Sequence, residues 1–367
     1  MRVLVAPDKY AGTLTAVEAA EAIAEGWRRH APDDEMDLAP MSDGGPGFVD
    51  VVAAATGGEL LATAVTSLPD QDVQYDALPA TLLRVEDTVY LECAQAVGLD
   101  VAGDSEPLRR SSHAVGVLLA HALEAGARRI VVGVGGTSTT DGGAGLLAAL
   151  GAYADGGDLD DGPEGLRSLR GVDLGAAPEL FADVELVLAS DVTSPLAGLH
   201  GAAKIYGPQK GIADGDLPWV DGALQRFAEL TDRRLALEPG AGAGGGIGFG
   251  LMLLGARRVS GMDLVADLTG LRARAERADV VLTGEGSFDF SSRAGKVPAG
   301  VAAVAAEALR PCVVLAGRVD VGAREMRALG MDAAYSLVES AGAERAMAQP
   351  AEVLAEVAER VARTWSH

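Results

Sequence analysis

Carboxylates and lysines recur beside glycine in this chain, in patterns suited to holding and moving a phosphoryl group. Ser190-Asp191-Val-Thr-Ser-Pro195 places an acid directly after an apolar run. Thr283-Gly-Glu285-Gly-Ser-Phe-Asp289 does so again, and Lys296 stands seven residues beyond the second acid. Asp-Gly-Gly begins at Asp43, Asp141 and Asp155. The first two follow the apolar runs 36–41 and 130–136, whereas the third falls in a Gly/Asp-rich stretch, 155–175, that reads as surface loop. Taken singly, Asp43 and Asp141 read first as helix caps. Together these residues form a kit for phosphoryl transfer. Lysines neutralise the transferring oxygens, carboxylates hold magnesium, and one carboxylate accepts the proton of the attacking hydroxyl.

Only four of the 30 basic residues are lysines: Lys9, Lys204, Lys210 and Lys296. GC-rich codon usage accounts for the scarcity, but a compact ammonium does what a planar guanidinium cannot at a crowded phosphate. Lys9, Lys210 and Lys296 lie in segments marked by Gly or Pro, while Lys204 reads as an ordinary surface residue. A Walker-type loop is excluded, because Gly295-Lys296 is followed by Val297. Gly240-Ala-Gly242-Ala-Gly244-Gly245 matches GxGxxG, and two readings of it stand level. It is either a backbone cradle for phosphate before a helix starting near 247, or a surface for close helix packing. A nicotinamide enzyme would need a strand running directly into Gly240, which Pro239 opposes.

These residues need a scaffold. A length of 367 residues suggests two domains, and 49% hydrophobic content fits a globular chain. The net charge of −23 repels nucleic acid and anionic membranes, so neither is an expected partner. Cys93 and Cys312 are far apart and the five histidines show no paired spacing, so any metal site should be oxygen-rich and suited to magnesium. The amino-terminal segment lacks a long apolar stretch, and 297–317 is interrupted by Glu307, Arg310 and two prolines. That stretch is expected to be a core helix followed by a buried strand, and the protein to be cytoplasmic.

Apolar runs at 3–6, 129–134, 184–189, 280–283 and 313–316 alternate with helical patterns such as 15–29 and 141–150. This predicts parallel βαβ units, with the loops after the strands along one edge. Runs at 60–66, 72–83 and 88–93 leave no room for helices between them. They predict an antiparallel or mixed sheet in a second domain, inserted after the first βαβ unit.

In this order the segments resemble the bacterial glycerate kinase family, the group unrelated to P-loop kinases. The resemblance rests on Ala6-Pro-Asp8, Pro40-Met-Ser-Asp43-Gly44-Gly45, Gly135-Gly136-Thr137-Ser-Thr-Thr-Asp141-Gly-Gly-Ala-Gly and Ser190-Asp191-Val-Thr-Ser-Pro-Leu. Gly207-Pro-Gln-Lys210-Gly, the glycine run after Pro239, and Thr283-Gly-Glu285-Gly with Ala294-Gly-Lys296-Val-Pro complete it. The resemblance implies magnesium- and ATP-dependent phosphorylation of D-glycerate, generally to 2-phosphoglycerate. It implies an α/β fold with the active site in a cleft between two domains. One is a Rossmann- or flavodoxin-like parallel-sheet domain, 1–58 with 265–367; the other is an inserted α/β domain with a mixed sheet, 59–264. Asp191, Lys210, Lys296 and Asp289 are the catalytic candidates, and Asp191, Glu285 and Asp289 the magnesium ligands. ATP would lie on Gly135, Gly136, Thr137, Asp141, Gly242, Gly244, Gly245 and Glu285. The substrate would meet Asp8, Lys9, Asp43, Gly44 and Gly45. A small hydroxy acid is the expected partner, and a homodimer is the one assembly considered.

The chain departs from the family pattern at Ala11, where a Lys is frequent, at Pro46 and Phe48 for an acid and a hydroxyl, and at Ser287 for an Arg. Thr140 and Ser194 each replace an Asn. These losses fall more on substrate contacts than on the charge-handling set. They favour a working kinase, with another small hydroxy acid open as its acceptor, over an inactive one; a non-catalytic nucleotide- or carboxylate-binding protein is the rival from another class.

Overall fold

The computed structural model describes residues 1–65, 78–289 and 296–366. Its strands, in chain order, are β1 (Arg2–Val5), β2 (Glu35–Leu38), β3 (Glu59–Val65), β4 (Leu78–Val85), β5 (Thr88–Glu92), β6 (Arg129–Gly133), β7 (Tyr153–Asp155), β8 (Gly171–Asp173), β9 (Glu185–Ala189), β10 (Arg257–Val259), β11 (Val280–Phe288), β12 (Cys312–Val319) and β13 (Ala333–Ser336). Two units form. One comprises Met1–Asp43, Asp50–Gly57 and Gly261–His367; the other comprises Gly44–Val49 and Gly58–Ser260.

The first unit holds a five-stranded sheet, β13-β12-β11-β1-β2, parallel throughout. Its central strands are runs of Val and Leu because they are covered on both faces: Val3, Leu4, Val5, Val313 and Leu315 have no exposed surface. Helices Ala16–His30 and Pro350–Trp365 pack together, and Trp27, Ile23, Val353 and Val357 share one core with β1 and β12. The first of these helices starts with a capping box. The Thr15 hydroxyl accepts from the Glu18 N–H, and the Glu18 carboxylate accepts from the Thr15 N–H. From β1 the chain moves to β2 on one side, and it later returns through β11, β12 and β13 on the other. The strand order therefore reverses between β1 and β11, the place where open α/β sheets leave a crevice for ligands.

The second unit holds a six-stranded mixed sheet, β10-β9-β6-β5-β4-β3. The segment β10-β9-β6-β5 is parallel, and β4 and β3 join it antiparallel, as the helix-free spacing predicts. Residues 72–77 of the expected strand 72–83 lie outside the described residues. The stretch 155–175 is more ordered than a surface loop. It carries part of the β7–β8 ribbon and the helix Gly162–Leu166, because Leu159, Leu166 and Leu169 are buried under its Gly/Asp-rich exterior. No helix among the described residues is long and apolar enough to cross a membrane. The stretch 297–317 is the helix Val297–Glu307 followed by β12.

Candidate functional site

In the first unit, backbone hydrogen bonds extend the chain after β1 along β11: the Ala6 N–H donates to Leu282 O and the Asp8 N–H to Gly284 O. This sets Asp8 beside Glu285 at the sheet reversal, with both side chains buried. The Tyr10 hydroxyl donates to Leu315 O at 2.5 Å and fixes the turn that follows. A cavity of about 470 Å³ opens here, and its lining includes Asp8, Lys9, Asp43, Glu285, Lys296 and Arg318. Lys9 Nζ lies 3.6 Å from Asp8 Oδ1 and 3.8 Å from Asp43 Oδ1. Lys296 Nζ lies 3.7 Å from Glu285 Oε2. Burial raises the Asp8 carboxyl to about 7. The ammonium of Lys9 opposes that rise, and the charges of Asp43 and Glu285 add to it. Five of the expected residues thus share one cavity, in which the carboxylates Asp8, Asp43 and Glu285 are matched by the cations Lys9, Lys296 and Arg318. Asp289 follows the end of β11 and is half-buried.

Ser287, where the resemblance leads one to expect an Arg, pairs in register with Arg318 on β12, and both residues line the cavity. An arginine is therefore supplied from the neighbouring strand. Ala11 lines the same cavity beside Lys9.

In the second unit, four glycine-marked segments converge beyond the carboxyl ends of β6 and β9. The Gly135 N–H donates to Gly44 O at 3.0 Å, and a Cβ on Gly44 would stand 2.5 Å from Ala189 O. The Glu92 carboxylate, at the end of β5, accepts from the Gly47 and Val49 N–H groups. Pro46 packs on Gly136, and Phe48 is fully buried with its ring 6.2 Å from that of Tyr90. These two departures from the family pattern are therefore packing residues in this chain. The assignment of their loss to substrate contacts gives way to that observation for Phe48, which has no exposed surface.

Lys210 ends a short helical turn after Pro208 and is 4% exposed. Its Nζ donates to Thr139 O at 2.7 Å and to Thr137 Oγ1 at 3.4 Å. Burial lowers its pKa to about 7, against the pull of Asp141. Asp141 has no exposed surface and accepts from the Ser112 N–H and hydroxyl and from the Gly143 and Gly145 N–H groups. Burial nevertheless raises its pKa above the ordinary carboxylate value. It pins the loop after β6 to the start of the helix His113–Glu124, which is a capping and bracing task.

The glycine run after Pro239 closes against this lysine. A Cβ on Gly245 would stand 1.9 Å from Thr139 O and 2.8 Å from Lys210 Nζ, and its φ of +77° also demands glycine. One on Gly242 would meet Pro195 O at 2.3 Å, and Gly244 packs on Val134. Close packing is thus what these glycines visibly do. A short 3-10 turn, Leu235–Leu237, precedes them where a dinucleotide fold would need a strand. Asp191 is half-buried in the loop after β9, which the Arg258 guanidinium fastens by donating to Ser190 O at 2.8 Å. Lys204, expected as an ordinary surface residue, is half-buried and pairs with the buried Asp221 at 3.4 Å.

Several participants carry no signal in sequence. Arg110 donates to Lys210 O at 2.9 Å from a hundred residues away. The buried hydroxyls of Thr139 and Thr140 have no hydrogen-bond partner among the described residues. Tyr10 and Ser112 hold the two sites from inside the core. Among the described residues no group of three or more His, Cys, Asp or Glu is placed to hold a metal ion.

Comparison with known proteins gives one consistent picture. A sequence model of the glycerate kinase family matches residues 3–366. An uncharacterized protein of Mycobacterium bovis is 41% identical over 99% of this chain and 91% of its own length. A glycerate 2-kinase of Escherichia coli K12 is 37% identical over 93% of this chain and 92% of its own. A crystal structure described as a glycerate kinase 2 from Salmonella typhimurium LT2 superposes with a TM-score of 0.79 at 34% identity, covering 99% of this chain and 98% of that one.

Proposed function

The chain belongs to the glycerate kinase family, and on that premise we propose that it transfers the γ-phosphoryl group of ATP to the 2-hydroxyl of D-glycerate, giving 2-phosphoglycerate. The observation that carries this reading is Lys210. Its ammonium is buried and held by two neutral oxygens on a glycine-rich loop. A cation so placed is suited to an incoming anion, and a phosphate is the anion a kinase brings.

In this reading Lys210 with Gly135, Gly136 and Thr137 receives the phosphates, Gly242, Gly244 and Gly245 pack behind them, and Asp141 braces the loop. Asp8, Lys9, Asp43, Gly44 and Gly45 position the hydroxy acid. Lys9 and Arg318 supply charge for its carboxylate. Lys296 steadies Glu285 and neutralises transferring oxygens. Asp191, Glu285 and Asp289 would hold magnesium, an ion ordinarily bound by one or two carboxylates together with substrate phosphates rather than by an all-protein cage. When bound, the ion withdraws charge from the phosphate oxygens. One of these acids takes the hydroxyl proton, and its position relative to the substrate selects which.

Coupled ADP release with D-glycerate and magnesium–ATP tests the reading. Turnover above the ATP-only blank is expected, and none would overturn it in favour of a binding protein. A panel of small hydroxy acids in the same assay separates D-glycerate from another acceptor.

A further inference from the structure

A separate cavity of about 420 Å³ lies in the second unit and reaches the loop that holds Lys210. We propose that it receives the uncharged adenosine portion of ATP, with the phosphates directed to Lys210; this rests on the kinase reading above. One side is apolar, formed by Val97, Val101 and Ala102 on two short successive helices. The other carries Ser105, His113 and Thr139. An apolar slot with a few polar groups along its edge suits a flat heterocycle and a ribose. A three-carbon acid would leave most of the space unfilled.

Charge decides which part of the ligand enters. Two arginines line the cavity, and both are already engaged. Arg109 pairs with Asp161 at 2.7 Å and with Glu106 at 3.6 Å. Arg110 spends all three guanidinium nitrogens, on Ser105 Oγ at 3.1 Å, Ser105 O at 2.7 Å and Lys210 O at 2.9 Å. His113 Nδ1 lies 2.9 Å from Asp160. Among the described residues Arg109 is offset by two carboxylates, and Arg110, held like Lys210 by neutral oxygens, bonds the Lys210 carbonyl, so the positive charge open to a phosphate lies at the Lys210 end of the cavity. The neutral end of the ligand therefore belongs in the cavity and the charged end at Lys210.

Two links join those places. Arg110 ties Ser105 on the cavity wall to the Lys210 carbonyl. Thr139 lines the cavity while its own carbonyl accepts from Lys210 Nζ. Thr139 is 1% exposed, and its hydroxyl has no partner among the described residues, which leaves a buried polar group to meet a ligand.

The test uses the full chain and the single variants Ala102→Trp and Val101→Trp, each checked by thermal melting. Either folded variant should raise KM for ATP about tenfold or more, with KM for D-glycerate within about twofold of wild type. Adenosine, which carries no phosphate, should inhibit wild type competitively against ATP and not against D-glycerate. An unchanged KM for ATP in a folded variant, or adenosine that fails to compete, would overturn the assignment. If neither variant folds, adenosine competition decides. If wild type lacks turnover, the kinase reading fails by itself. Calorimetric titration with a non-hydrolysable ATP analogue then decides the cavity: weaker binding to Ala102→Trp supports it, and equal or absent binding overturns it.

Discussion

Lys210 and Asp8 carry opposite burdens of burial, and pH separates them. The folded state lowers Lys210 from its ordinary 10.5 to about 7. Between those values the unfolded chain binds the extra proton, so stability from this group rises with pH and is lost as pH falls through about 7. Lys210→Met should abolish that slope in melting temperatures measured across the window. It should also lower kcat by ~10²–10³-fold, the usual loss when a preorganised charge-stabilising donor is removed. Lys210→Arg should not restore activity, because a planar fork does not fit where Gly245 closes on the ammonium. Asp8 behaves in the reverse sense, since burial raises its carboxyl from 3.8 to about 7. The folded chain holds the extra proton there, so its contribution is complete at low pH and lost as pH rises through about 7. Asp8→Asn should flatten that part of the stability profile in the same melts.

At the scale of elements, the segments that position these residues were largely readable in advance. Thr15 and Glu18 announce the first helix through a reciprocal cap, and the Val/Leu runs of β1, β11 and β12 announce parallel strands buried on both faces. The antiparallel β3–β4 pair followed from the absence of room for a helix. Contacts between distant segments were not readable. Nothing in the spacing places Arg110 on the Lys210 carbonyl, Arg318 across from Ser287, or Phe48 against Tyr90. Such pairings are set by sheet order and loop packing, which a linear pattern does not encode. The glycine run after Pro239 left two readings level, and geometry favours packing. Gly245→Ala follows from that geometry. A methyl group 1.9 Å from Thr139 O, at a φ of +77°, should cost about 1–3 kcal/mol and displace Lys210, and thermal unfolding alongside kinetics checks both effects.

For the whole molecule, a net charge of −23 is mostly a property of its solvated surface, while the lysines proposed to meet phosphate or substrate are few: Lys9, Lys210 and Lys296. Self-repulsion of that surface opposes the folded state and is screened by salt. The melting temperature should therefore rise as sodium chloride increases from about 10 to about 150 mM, where the screening length falls from about 30 to about 8 Å; a fall would point to dominant attractive pairs. Membership of the glycerate kinase family and the proposed phosphate-handling residues lead to one proposed reaction, phosphorylation of D-glycerate at its 2-hydroxyl. Phosphorus NMR of D-glycerate incubated with magnesium–ATP and the protein tests it most directly. The account predicts a new phosphomonoester resonance split into a doublet by the single proton on carbon 2. A triplet, which reports phosphate on the terminal methylene, or no new resonance beyond the ATP-only control, would contradict it.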